Sequence, residues 1–78
     1  METWVCHIDL FKDKQLIKNN YTGEEYWVNE KDIPDTLSYL YREKGLKKVW
    51  FDGSFDASDI IFKFHNVYPD EDVIFLEG

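Results

Sequence analysis

The stretch between residues 46 and 76 constrains the fold more than any other part of this chain. Two nearly continuous apolar runs, KVWF at 48–51 and VIFL at 73–76, flank a segment whose apolar residues recur at helical spacing. Such runs are typical of strands covered on both faces, as in parallel sheets. They predict a strand, a crossover helix and a second, parallel strand, and we expect the crossover to be right-handed.

The crossover helix is predicted over residues 56–68. Asp56 is a suitable N-cap residue, and Pro69 prevents the helix from continuing. Lys63 and Asn66 fall on the expected solvent side. The predicted buried stripe consists of Ala57, Ile60, Ile61, Phe64, Val67 and Tyr68.

The first third of the chain predicts two or three strands. Alternation predicts a first strand at 4–11, and residues 15–21 and 25–28 predict a hairpin with its tip at 22–24. One longer strand with a bulge at Gly23 is the alternative. The choice decides whether the sheet has four or five strands.

A first helix is predicted to follow this region. Asp32 is the expected N-cap, Pro34 fits the first turn, and Gly45 fits the position after the last turn. Leu46 can then pack back against the helix end. The predicted buried stripe consists of Ile33, Leu37, Leu40 and Tyr41.

These elements predict the order β-β-(β)-α-β-α-β in a single acidic domain over residues 1–78. The expected class is α/β with α+β character: a small two-layer domain with a mixed sheet of four to five strands, two helices and a C-terminal βαβ unit. If both helices lie on one face, the strands that contain Trp50 and Phe75 need a cover on the other face. A second copy of the chain could supply it, so a homodimer is predicted.

Charge and cysteine content restrict the class of protein. The net charge of −7 disfavours direct nucleic-acid or membrane binding and favours either simple solubility or a partner with a basic surface. Cys6 is the one cysteine, so no internal disulfide can form, as is typical of a reducing compartment. The N-terminus lacks a signal pattern, and no apolar run approaches the roughly 18 residues of a membrane span, so we expect a cytoplasmic protein.

Asp52, Gly53 and Ser54 form a candidate ligand loop, because they follow the first strand of the predicted βαβ unit. The start of the next helix could hold an anion, but Asp56 is expected to cap that end and Asp52 and Asp59 oppose a phosphate. No P-loop or dinucleotide fingerprint is present. A tight turn with a helix cap is the alternative. We therefore predict no cofactor.

Asp9, Asp52, Asp56 and Asp59 could converge on a divalent cation if the first strand neighbours the strand at 48–51. Nothing in the sequence shows that these carboxylates meet, and separate solvated carboxylates are the alternative. The residues also provide no zinc-ligand spacing. We assign no catalytic residue and no metal ligand.

Tyr26 and Trp27 are neighbours on a predicted strand, so alternation directs one of them outward. An exposed aromatic ring inside an acidic rim is a reasonable protein-contact patch. The alternative is that both rings cover the edges of a small sheet. The acidic residues of this candidate patch are Glu24, Glu25, Glu30, Asp32 and Asp35.

These observations favour a small, non-catalytic protein-interaction protein. Its size and acid excess are typical of phage and mobile-element proteins that inhibit a basic or nucleic-acid-binding host protein. One alternative is a small metal-dependent hydrolase that uses Asp9, Asp52 or Asp56. The other is a purely structural homodimerisation module.

Overall fold

The computed structural model describes residues 4–7, 14–52 and 57–77 as a small α+β domain with two helices, as predicted. The part of the predicted first strand beyond residue 7 lies outside the described residues. The elements are β1 (Trp4–His7), β2 (Lys14–Asn19), β3 (Glu25–Asn29), a short 3-10 turn (Glu30–Asp32), α1 (Ile33–Lys44), β4 (Lys48–Asp52), α2 (Ser58–Val67) and β5 (Ile74–Glu77).

The described strands form one mixed sheet in the order β3-β2-β1-β4-β5. β2 is antiparallel to both of its neighbours, whereas β4 is parallel to β1 and to β5. β4 and β5 pair with Lys48 opposite Ile74 and Trp50 opposite Leu76. α1 therefore connects the edge strand β3 to β4 across two other strands, and α2 connects β4 to its neighbour. The right-handed sense of that second crossover stays a prediction.

β2 and β3 form a hairpin, so the alternative of one long bulged strand is wrong. The Asn19 side chain organises the turn, because its Oδ1 accepts the N–H groups of Tyr21 at 2.8 Å and Thr22 at 3.2 Å. Gly23 closes the turn with a φ of +78°, a backbone conformation that glycine adopts without a steric penalty. Local turn chemistry thus fixes the register of the hairpin.

Both ends of α1 lie where the sequence predicts them, but its start has a different chemistry. Asp32 occupies the N-cap position without a side-chain capping hydrogen bond, contrary to the prediction. The reason is its helical backbone, with φ −95° and ψ −1°, since the preceding 3-10 turn replaces the extended conformation of a usual N-cap. At the other end, Gly45 has a φ of 72°, and the N–H of the buried Leu46 donates to the Leu40 carbonyl at 3.2 Å.

α2 begins at Ser58, with Ala57 at the cap, and the predicted N-cap Asp56 lies outside the described residues. The prediction that Val67 is buried is wrong, because this side chain is 53% exposed. The helix ends at Val67, and the next residue, Tyr68, leaves the helical conformation. Tyr68, which the same predicted stripe includes, is half-buried and packs its ring on Phe64, with the ring centroids 5.5 Å apart.

The core lies between one face of the sheet and both helices. Its buried apolar residues are Trp4, Ile17, Ile33, Leu37, Leu40, Leu46, Val49, Phe51, Ala57, Ile60, Phe64 and Val73. The strand members of this cluster all share one face in the observed register. The described residues thus form two layers, and the second face of the sheet lies away from the helices. No helix in the described part of the chain is long and apolar enough to cross a membrane.

Candidate functional site

β3 divides the predicted contact patch between the two faces of the sheet. Tyr26 is half-buried on the helix side and packs against the core, with its ring 5.9 Å from that of Trp4. Trp27 is directed to the opposite face. Glu25 shares the face of Trp27, where its carboxylate lies 4.0 Å from Lys18 on the neighbouring strand. The residues of the predicted patch therefore belong to different surfaces of the molecule.

The first surface is a recess between β3 and α1, which we call the β3–α1 recess. It encloses about 390 Å³ and is lined by Tyr26, Val28, Asp32, Asp35, Thr36, Tyr39 and Leu40. The helical residues of this set recur at spacings of three and four, so they share one face of α1. The recess therefore combines two aromatic rings, two carboxylates and an apolar lining.

Hydrogen bonds hold one aromatic side of the recess in position. The Tyr26 hydroxyl donates to Glu24 Oε2 at 2.9 Å, and the same oxygen lies 3.8 Å from Lys44 Nζ at the end of α1. The bond to Glu24, together with partial burial, raises the pKa of Tyr26 above its ordinary value. The Tyr26 hydroxyl therefore remains protonated at neutral pH.

The two aspartates of the recess are both exposed, but their surroundings differ. Asp35 Oδ1 accepts a hydrogen bond from the Tyr68 hydroxyl, which raises the pKa of Tyr68. Asp32 uses its backbone carbonyl to accept the Thr36 hydroxyl at 2.8 Å. Both carboxylates thus contact solvent at the recess, where a cationic group can approach them.

Glu30, the remaining acidic residue of the predicted patch, lines a different cavity. This cavity of about 250 Å³ lies near the starts of the two helices. Lys31 and Lys63 line it together with Glu30 and Asp59, so its charged groups balance. It therefore lacks the negative character of the β3–α1 recess.

Sequence reasoning did not assign Tyr39 to the site, although the structure places its ring in the β3–α1 recess, 43% exposed. The available signal was its spacing from Asp32, Asp35 and Thr36, which puts all four on one side of α1. That spacing alone does not reveal which strand lies beside this side of α1. The proximity of Tyr39 to Tyr26 can be predicted only when the path of α1 across the sheet is known.

The second surface is the sheet face opposite the helices, which we call the open face. Four large apolar residues of the described part of the chain are exposed on it: Trp27 by 47%, Trp50 by 36%, Ile74 by 50% and Leu76 by 42%. Leu16 is half-buried between them, opposite Trp27 on β2. None of the described elements covers this face. Its other described side chains are Lys14, Lys18, Glu25, Asn29 and Lys48.

The candidate ligand loop and metal site fall largely beyond the described parts of the chain. Asp52 ends β4, while Gly53, Ser54, Asp9 and Asp56 lie outside the described residues. Within the described residues no group of three His, Cys, Asp or Glu side chains is arranged to hold a metal ion. β1 and β4 are parallel neighbours, however, with His7 opposite Asp52, so the carboxyl ends of both strands share one edge of the sheet.

The chain was also compared with known proteins. No protein-family model, no curated protein sequence and no solved structure matches it.

Proposed function

We propose that this protein is a non-catalytic interaction protein that binds an arginine or lysine side chain of a basic partner protein in the β3–α1 recess. The observation that carries the proposal is the convergence of the Tyr26 and Tyr39 rings with the Asp32 and Asp35 carboxylates on one recess. The carboxylates attract the charge of a cation, and the tyrosine rings can contact both the charge and an apolar stem.

The chemistry of an arginine side chain matches the recess group by group. A guanidinium stacks on a tyrosine ring and pairs with a carboxylate at its edge, and its methylene stem covers apolar surface. Val28 and Leu40 supply that apolar surface. The same chain already contains a related contact, in which Lys47 Nζ lies 5.2 Å from the centroid of the Tyr41 ring.

The overall charge supports the same class of partner. A net charge of −7 on 78 residues attracts basic proteins over a distance of several ångströms and accelerates their association at low salt. A host protein that binds nucleic acid presents arginine and lysine side chains to phosphates. A small acidic protein that occupies those side chains competes with the nucleic acid, so inhibition is the expected consequence of binding.

The experiment is an affinity measurement with a tetra-arginine peptide, with a tetra-glutamate peptide as the negative probe. The double variant Asp32→Asn/Asp35→Asn should weaken arginine-peptide binding at least about tenfold, because it removes both carboxylates that face the guanidinium. Glu43→Gln/Asp70→Asn is the matched control, since it removes the same number of exposed charges outside the recess. Equal loss of affinity in the control and in the Asp32→Asn/Asp35→Asn variant would mean that only net charge matters, and would reject the recess.

A second candidate function, metal-dependent hydrolysis, is supported by the adjacency of β1 and β4. This was the condition under which Asp9, Asp52 and Asp56 could converge, since Asp9 follows β1 closely in the sequence and Asp56 follows β4. Calorimetric titration with magnesium and manganese tests it. Heat that Asp52→Asn abolishes would support this function, and no heat at millimolar metal would exclude it.

A further inference from the structure

We propose that the open face is the interface of a symmetric homodimer, in which a second copy of this chain covers Trp27, Trp50, Ile74 and Leu76. This inference does not depend on the recess, which lies on the other side of the sheet. It starts from the four large apolar side chains that share the open face at 36–50% exposure. A patch of large apolar residues with a polar rim is typical of a protein–protein interface.

The charges on the open face identify a second copy as the occupant. Among its described side chains are three lysines, Lys14, Lys18 and Lys48, and one acidic residue, Glu25. Most of the described acidic side chains, including those of Asp32, Asp35 and Asp59, lie on other surfaces. Two copies of an acidic protein repel each other least where their acidic surfaces point apart, and face-to-face contact of the open faces achieves this.

The same charges fit a symmetric contact. In a two-fold interface each residue faces residues of the identical surface, so a self-complementary surface needs both signs of charge. Lys18 and Glu25 are such a pair, 4.0 Å apart on adjacent strands. A nucleic acid would be repelled by the chain as a whole, and among the described side chains of this face Glu25 alone could pair with a strongly basic partner.

The dimensions of the molecule allow an interface of sufficient area. The principal extents are 33 × 28 × 20 Å, and the sheet, about 24 Å wide at the usual strand spacing, occupies most of one broad side. A stable interface buries roughly 600–1,000 Å² on each partner. The exposed parts of two tryptophans and two aliphatic residues supply the apolar centre of such an area, and the surrounding polar side chains supply its rim. Two sheets would then pack about 10 Å apart, with the helices outside.

The test is sedimentation velocity from about 1 μM to about 1 mM protein, a range that covers dissociation constants of ordinary homodimers. The wild-type chain should dimerise, and Trp50→Glu should raise the dissociation constant at least about 30-fold, because it places a charge in a desolvated contact. Leu76→Lys on the neighbouring strand is the second variant, so a folding defect of Trp50→Glu leaves the test intact. Thermal melts report folding of each variant.

Phe62→Glu is the matched control, because Phe62 is 71% exposed on α2, in the other layer of the molecule. It should leave the dissociation constant unchanged. A wild-type chain that remains monomeric over the whole concentration range would overturn the proposal, and would indicate that the open face binds a different partner. A dimer that survives both open-face variants, or one that only Phe62→Glu disrupts, would overturn it as well.

Discussion

The two sides of β3 illustrate how one alternating strand contributes to two surfaces of opposite character. On the helix side, Tyr26 is half-buried and joins two exposed carboxylates at the start of α1 in the β3–α1 recess. On the open face, Trp27 lies among apolar side chains and lysines. In the proposed function the recess accepts one cationic side chain, whereas in the proposed dimer the open face supplies contact area. Aromatic content alone therefore does not predict a binding mode, since the charges beside the two aromatic residues differ.

The largest effect should come from the core that supports both surfaces. Phe64 is fully buried and its ring packs on those of Tyr68 and Phe75, so Phe64→Ala should lower the free energy of unfolding by about 3–5 kcal/mol. Chemical denaturation measures the loss. Phe62→Ala on the same helix is the control and should change the stability by less than about 0.5 kcal/mol, because its ring is exposed. Equal losses in the two variants would contradict the layer arrangement.

A smaller loss of stability is expected from Glu71→Ala, a variant that should affect the recess and not the open face. Glu71 joins the loop after α2 to α1, since its Oε1 accepts the Ser38 hydroxyl at 2.8 Å and lies 3.5 Å from Arg42 Nε. Glu71→Ala should cost about 1–3 kcal/mol in unfolding free energy, because it leaves the buried Ser38 hydroxyl without this acceptor. Asp72→Ala, at an exposed neighbouring position, is the control.

Glu71→Ala should also weaken arginine-peptide binding, because Glu71 contacts α1 and α1 forms one side of the recess. It should leave dimerisation unchanged, because α1 is no part of the open face. Titration calorimetry and sedimentation of the same variant measure the two quantities. Parallel loss of both activities in a folded variant would mean that the surfaces are coupled.

Salt should distinguish the surfaces by their charges. Between about 20 mM and about 500 mM salt, the affinity for the arginine peptide should fall at least about tenfold, which is about 1.4 kcal/mol. The proposed dimer contact is mainly apolar, so its dissociation constant should change by less than about threefold over the same range. A dimer that is as sensitive to salt as peptide binding would argue against the charge division between the two faces.

The smallest effect concerns alkaline stability on the helix side. The pKa values of Tyr26 and Tyr68 are raised, chiefly by their hydrogen bonds to Glu24 and Asp35. A raised folded-state pKa contributes stability that is fully present below the unfolded value of about 10 and is lost as pH rises through the folded value. The melting temperature of the wild-type chain should therefore fall more steeply above about pH 10 than that of Tyr26→Phe/Tyr68→Phe. Identical slopes would mean that these hydrogen bonds do not stabilise the fold in solution.

Much of the fold could be predicted because its signals are local. The left-handed glycines Gly23 and Gly45 mark a turn and a helix end, and the apolar spacings mark both helices. Predictions failed where a neighbouring element decided the outcome. The 3-10 turn before α1 removes the expected cap of Asp32, and Val67, the last residue of α2, is exposed although its spacing predicts burial.

The candidate site was less predictable, because it depends on tertiary structure. Alternation correctly separated Tyr26 from Trp27, but the acidic residues grouped with them by sequence distance now belong to several surfaces. The recess forms because α1 passes beside β3, and no local pattern reports that path. The open face likewise requires that both helices pack on the same side of the sheet.

The most direct test of two separate surfaces uses the indole N–H resonances of the three tryptophans in nitrogen–proton correlation spectra. Trp4 is buried on the helix side beside Tyr26, whereas Trp27 and Trp50 lie on the open face. Titration with the arginine peptide should shift the Trp4 resonance alone, and dilution of the protein should shift those of Trp27 and Trp50 alone. Peptide-induced shifts of Trp27 and Trp50, or dilution that leaves both unchanged, would contradict the account.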